Sequence, residues 1–277
     1  FVLQRADIFA KSAIKLLSYM KVDSIVYGSE SNQKQSISSF DKESIKKGES
    51  FAKAANTQNL SPNDLLGSLY EKYAKKYNME THTIQRSNEY HSLSLDNKIV
   101  SASAIRKHLH EKGNVSNFTS MNLEELTIHK IDDYEESIQL ILAREDKEAL
   151  QNILLMDEGI ENLFLKQSHK SIHDLINDSS SKRYTKSRIQ RTLMNMLLKH
   201  NKNEIKFPSH ARILGISENG LRYLSQYKEE LSYCTSFKNY ELKDVEMKAS
   251  QIYSLVYSQE YYEYTIFREK NKPLIKK

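Results

Sequence analysis

The chain has 277 residues, 39% of them hydrophobic and 28% charged, with one cysteine, three prolines, seven glycines and a formal charge of +5. That composition supports a packed core and excludes an intrachain disulfide, and no apolar run is long enough to span a bilayer. The mildly basic balance permits a polyanionic partner without requiring one. A lone thiol fits a reducing cytoplasm. Cys234 reads as filler rather than nucleophile, because no His and Asp partners cluster near it in sequence.

Phe1 opens the chain in the middle of a pattern, so a longer natural protein is expected. Ile8, Phe9, Ala13, Leu16 and Leu17 recur at helical spacing over 6–20. Ser24-Ile25-Val26-Tyr27, running into Gly28-Ser29-Glu30, reads as a buried strand entering a loop. Residues 31–58 are polar and read as a helix with loops. Ser61-Pro62-Asn63-Asp64 is a helix start: Ser caps, Pro fits the first turn, and Leu65 to Tyr77 continues the helix. Met79 to Gln85 alternate and read as a strand ending at Arg86. Residues 98–103 read as a hydroxyl-rich loop that feeds a helix through Leu109. Residues 1–115 therefore follow the grammar of an α/β doubly wound parallel sheet.

Past residue 115 the pattern changes. Helical periodicity recurs over 123–128, 133–144, 146–155, 158–168, 171–178 and 184–200, so 116–205 reads as a separate, mainly helical region. Residues 206–277 form a small mixed part. There the turn Glu218-Asn219-Gly220 precedes a helix through Tyr227, 247–257 read as a short helix, and Tyr261 to Phe267 lean toward strand.

Candidate chemistry sits at the predicted strand ends and helix starts. Gly28 would let a ligand approach the backbone. The Asn63 amide suits an adenine edge or its own backbone, and Arg86 suits a phosphate or simply the surface. Ser101 and Ser103 precede a helix whose free N–H groups attract anions, with Arg106 and Lys107 adding charge. Together these loops outline an ATP site along one sheet edge. Neither a P-loop, a dinucleotide fingerprint nor a zinc spacing occurs. Further on, Lys182, Arg183, Lys186, Arg188 and Arg191 form a basic stripe with Tyr184 available for stacking, which suits an RNA backbone or a solvated helix face. Ile189, Leu193, Met196 and Leu197 would be its buried side.

Seven strings in order resemble one family, the bacterial tRNA(Met) cytidine acetate ligases with a nucleotidyltransferase-like fold. They are residues 4–10, Tyr27-Gly28-Ser29-Glu30, Ser61 to Gly67, Ser101 to Arg106, Lys182 to Thr185 with Arg188 and Arg191, Arg212 to Gly215, and Lys248 to Tyr253. The resemblance implies activation of acetate by ATP as acetyl-adenylate, then transfer to N4 of the wobble cytidine of elongator tRNA(Met). It implies ATP contacts at Gly28, Asn63, Arg86 and Ser87, a phosphate motif from Ser101 through Ser103 to Arg106, and tRNA contact by the helix from Lys182. Arg86, Ser103 and Arg106 would serve catalysis, and Mg²⁺ is expected with the triphosphate. Glu30 or Asp7 would assist as a base or a partner of metal-bound water. The family also opens with a His-x-Gly-His-type loop, which would precede Phe1. Two other readings stay open: a nucleotidyltransferase that adenylates a small metabolite, and a non-catalytic RNA-binding protein.

Overall fold

A computed structural model describes residues 3–34, 60–86, 95, 100–111, 113–121, 129–181, 183–204 and 207–276. The expectations for 31–58 and 123–128 fall largely or wholly outside these residues.

The amino-terminal part is a strand–helix–strand unit. Helix α1 (Ala6–Tyr19) leads to β1 (Ser24–Ser29); α2 (Pro62–Ala74) then leads to β2 (Glu80–Gln85). The strands pair in parallel, from Ser24 opposite Glu80 to Ser29 opposite Gln85. Their carboxyl ends therefore lie side by side, where open α/β sheets bind ligands. Ser61 starts α2 as its sequence foretells: its Oγ accepts from Asp64 N at 3.2 Å, with Pro62 at the first position. Ala10 and Ile14 of α1 pack against Leu69, Tyr73 and Ala74 of α2. These five residues, buried together with Met79, make a small core, which the rest of the chain must support.

Gly67 shows how tightly α2 meets the sheet. A Cβ there would sit 2.2 Å from the Tyr27 ring, and that ring is pinned because Tyr27 Oη donates to the buried Glu71 carboxylate at 2.5 Å. Burial, and then the Glu71 charge, push the Tyr27 hydroxyl well above the ordinary tyrosine range. Gly67→Ala is expected to cost about 1–3 kcal/mol through overpacking, measured as a fall in urea midpoint.

Helix α3 (Ala102–His110) is capped by Ser101, whose Oγ accepts from Ala104 N at 3.0 Å. Five helices follow: α4 (Glu135–Arg144), α5 (Lys147–Gln151), α6 (Ile160–Gln167), α7 (Ile172–Ser179) and α8 (Lys186–Leu197). Asp146, Ser171 and Thr185 cap α5, α7 and α8. These helices close over a larger core centred on Ile138, Phe164, Leu175, Ile189 and Leu193.

The last part holds β3 (Ala211–Arg212), β4 (Gly215–Ser217), α9 (Glu218–Gln226), β5 (Tyr233–Cys234), α10 (Lys243–Ser254), α11 (Gln259–Lys270) and β6 (Leu274–Lys276). β3 pairs with β5 and β4 with β6, both in parallel. Two expectations change here. Tyr261 to Phe267 lie inside α11, not in a strand. Ser258 caps that helix by accepting from Tyr261 N, and α11 packs along α10. Residues Glu218 to Gly220 form the first turn of α9 rather than a turn ahead of it, because Ser217 caps them. This part is stitched to the carboxyl end of α1. Tyr19 Oη donates to Pro208 O at 2.7 Å, Tyr223 Oη to Met20 O at 2.8 Å, and Ser232 N to Tyr19 O at 3.1 Å. Among the described residues no helix is long and apolar enough to cross a membrane.

Candidate functional site

Three chain segments meet at the carboxyl end of the sheet. β1 delivers Gly28, Ser29 and Glu30; the amino terminus of α2 delivers Ser61, Asn63 and Asp64; β2 ends at Arg86. Glu30 is the point where they join. Its Oε2 accepts from Ser61 Oγ at 2.5 Å, its Oε1 accepts from Asn63 Nδ2 at 2.5 Å, and Arg86 Nε lies 3.6 Å from Oε1. The last contact is an ion pair but too long for a hydrogen bond, and Arg86 Nε has no hydrogen-bond partner among the described residues.

Gly28 lies under the Arg86 stem. A Cβ on it would come within 3.3 Å of Arg86 Cγ, so a side chain here would push the guanidinium away. Arg86 N also donates to Ser29 O at 2.9 Å, which fixes the two strand ends against each other.

Beneath this rim the loop after β1 is held from α2. Asp64 is buried, and it accepts from Ser29 Oγ at 2.5 Å and from Ser31 N at 3.2 Å. Ser29 Oγ accepts in turn from Asn32 N at 2.8 Å. Burial alone would raise the Asp64 pKa. The hydrogen bonds from Ser29, Ser61 and Ser31 outweigh it and hold the carboxylate below its ordinary range.

Gly28, Asn63 and Arg86 are thus brought together as the sequence suggests. Asn63 spends its amide on Glu30 rather than on its own backbone. Ser103 and Arg106 instead bond to each other at 3.3 Å on the first turns of α3, not to the Glu30 cluster. Ser101 is buried at the cap of the same helix. Ser87 and Lys182 lie outside the described residues. Glu30 accepts from Ser61 and Asn63 and pairs with Arg86. Among the described residues no group of three or more His, Cys, Asp or Glu is arranged to hold a metal ion. Asp7 is buried at the start of α1 and accepts from Arg5 at 3.1 Å.

The basic stripe needs one correction. Tyr184 is buried, and its Oη donates to Glu158 O at 2.5 Å, so its ring fills the helical core and is not available for stacking. Glu158 also pairs with Arg183 at 3.2 Å and Arg188 at 3.3 Å. Their guanidinium carbons sit 5.4 and 5.2 Å from the centre of the Tyr184 ring. Arg191 is partly buried, and the loss of solvent, with Arg188 nearby, lowers its pKa. Lys186 is exposed. Ile189, Leu193, Met196 and Leu197 form the buried side as expected.

Sequence missed Asp64 and the joining role of Glu30. A signal for Asp64 existed: Ser-x-x-Asp at a helix start normally marks a reciprocal cap. Here the aspartate also holds the strand loop, through Ser29 and Ser31.

A parallel strand–helix–strand unit with Gly, Asn and Arg gathered at its carboxyl end, followed by a helical region, defines a nucleotidyltransferase-like α/β protein. The HIGH nucleotidyl transferase family model matches residues 1–266. The tRNA(Met) cytidine acetate ligase of Mycoplasmopsis pulmonis is 34% identical over 220 residues, covering 70% of this chain and 74% of that one. The ligase of the same name from Bacillus mycoides is 29% identical over 308 residues, covering 91% and 78%. The chain belongs to the tRNA(Met) cytidine acetate ligase family. Its fold is also that of Thermotoga maritima TmcAL. The apo crystal structure of that protein superposes with a TM-score of 0.81 at 23% identity, covering 98% of this chain and 81% of that one. The structure bound with alpha-thio ATP gives 0.78 at 24% identity over the same shares.

Proposed function

We propose that this protein joins acetate to the wobble cytidine of elongator tRNA(Met) in an ATP-dependent reaction, through acetyl-adenylate. The observation that carries the reading is the meeting of Gly28, Asn63 and Arg86 at the carboxyl end of the parallel strands, in a chain of this family. The relatives' shared name and the alpha-thio ATP on the Thermotoga maritima structure support it.

In the first step an acetate oxygen attacks the α-phosphorus of ATP, and pyrophosphate leaves with the bonding pair. In the second step the cytidine N4 attacks the acetyl carbon, AMP leaves, and one proton is released from N4. Neither step needs a covalent enzyme intermediate, so positioning and charge neutralisation carry the rate. Arg86 stands at the carboxyl end of β2 with a third of its side chain exposed, so its guanidinium can meet a phosphate oxygen. Ser101, Ser103 and Arg106, at the amino end of α3, supply the second anion-binding element once nucleotide is bound. Ser87 follows Arg86 directly in sequence. Magnesium would accompany the triphosphate.

The RNA surface is the start of α8 and the turn before it, with Arg183, Lys186, Arg188 and Arg191; Lys182 precedes them in sequence. Glu158 neutralises part of the charge on Arg183 and Arg188, so Lys186 contributes more per side chain. Lys186→Ala is expected to weaken tRNA binding and to reduce the slope of log affinity against log salt by about one.

The reading is tested by incubating the natural full-length protein with ATP, acetate and tRNA(Met), then digesting the tRNA for mass spectrometry. N4-acetylcytidine at the wobble position, with AMP and pyrophosphate formed in equal amounts, is the expected result. ATP turnover that ignores both acetate and tRNA would refute it.

A further inference from the structure

We propose that Glu30 is the sugar anchor of the nucleotide site, its carboxylate accepting a hydrogen bond from a ribose hydroxyl. The inference rests on the nucleotide-binding reading above and adds a contact that reading leaves unassigned.

A carboxylate offers roughly four acceptor positions on its two oxygens. Oε1 is occupied by Asn63 and faces Arg86, whereas among the described residues Oε2 receives Ser61 alone. One acceptor position on Oε2 therefore stays open, on a side chain that is 23% exposed. Ser61, Asn63 and Arg86 come from two different elements and hold the carboxylate in one orientation, so its open position is fixed before a ligand arrives.

The neighbours narrow what can fill that position. A phosphate would be repelled by the carboxylate. A cation would face the Arg86 guanidinium, and the described residues give it no further cluster of ligands. What remains is a neutral donor. A nucleotide carries two kinds, the sugar hydroxyls and the adenine amine. Arg86 decides between them. The guanidinium that neutralises a phosphate stands beside Glu30, and along a nucleotide the group next to the phosphates is the sugar, with the base beyond it. In dinucleotide folds, too, an acidic side chain accepts from a ribose hydroxyl.

The test is calorimetric titration of the natural full-length protein and of Glu30→Ala with ATP, 2′-deoxy-ATP, 3′-deoxy-ATP and purine riboside triphosphate, which lacks the amine. The native protein should bind at least one deoxy analogue about tenfold or more weakly than ATP, the usual worth of a hydrogen bond to a charged group. Glu30→Ala should lose that discrimination and bind ATP and the analogue alike. Thermal melting checks that the variant folds. If it does not, Glu30→Gln, which keeps the shape and removes the charge, should shrink the discrimination in its place. Absence of ATP binding to the native protein would overturn the nucleotide reading, and this proposal with it. ATP binding without sugar discrimination would overturn this proposal alone. So would discrimination that persists in both variants, or a Glu30 effect that tracks the missing amine instead.

Discussion

Replacing Arg86 with alanine is expected to reduce ATP-dependent acetylation at least a hundredfold while the protein stays folded. Arg86 ends β2 with its side chain across Gly28, a third exposed, and its single ion pair among the described residues is the 3.6 Å contact to Glu30. A partly exposed pair of that length adds little to stability. The value of the guanidinium lies in its place at the carboxyl end of the sheet, partly exposed and beside Gly28 and the Glu30–Asn63 pair. Removal of one charged donor from a transition state costs roughly 3–4 kcal/mol, or 10²–10³ in rate. The measurement is the rate of N4-acetylcytidine formation beside a thermal melt. Turnover near that of the native protein, with an unchanged melt, would remove Arg86 from the chemistry.

Asp64→Ala should affect both stability and binding. The carboxylate holds Ser29 and Ser31, which set the path of the loop presenting Glu30. Hydrogen bonds to a charged group contribute about 1.5–3 kcal/mol each. Losing both while stranding their donors should cost about 3 kcal/mol. For a chain of this size that is a fall in Tm of roughly 6–12 °C. ATP affinity should fall with it, whereas Asp64→Asn, which keeps one acceptor, should fall between. The pH dependence has a definite sign. The folded-state pKa of Asp64 lies below its unfolded value of 3.8. Its contribution is therefore complete above that value and is lost as pH falls through the folded-state pKa. The native protein should lose stability in acid below about pH 4 more steeply than Asp64→Asn. Parallel acid limbs in the two would show that Asp64 carries no such linkage.

Much of this was legible in the sequence because the signals were local. Ser61-Pro62 announced α2, and the short apolar run before Gly28 announced β1. The Ile189, Leu193, Met196 spacing announced the buried side of α8. Other features depend on residues far apart. Tyr184 follows two basic residues and looks like a stacking platform, but its acceptor comes from Glu158, 26 residues earlier. Tyr261 to Phe267 are rich in residues that favour strands, yet the Ser258 cap and the α10 surface override that preference. Glu30 draws donors from positions 31 to 56 residues away, and no window of sequence contains them together.

The stitching of Tyr19 and Met20 to residues 208–232 bears on how the protein is made. At ~5–20 residues per second, the ribosome needs roughly 10–40 s after finishing α1 to deliver those partners. During that interval the nascent nucleotide-binding end carries an unfinished seam, with the helical bundle already emerging behind it. Slow synthesis or premature termination between residues 20 and 208 would leave that seam exposed to proteases and chaperones.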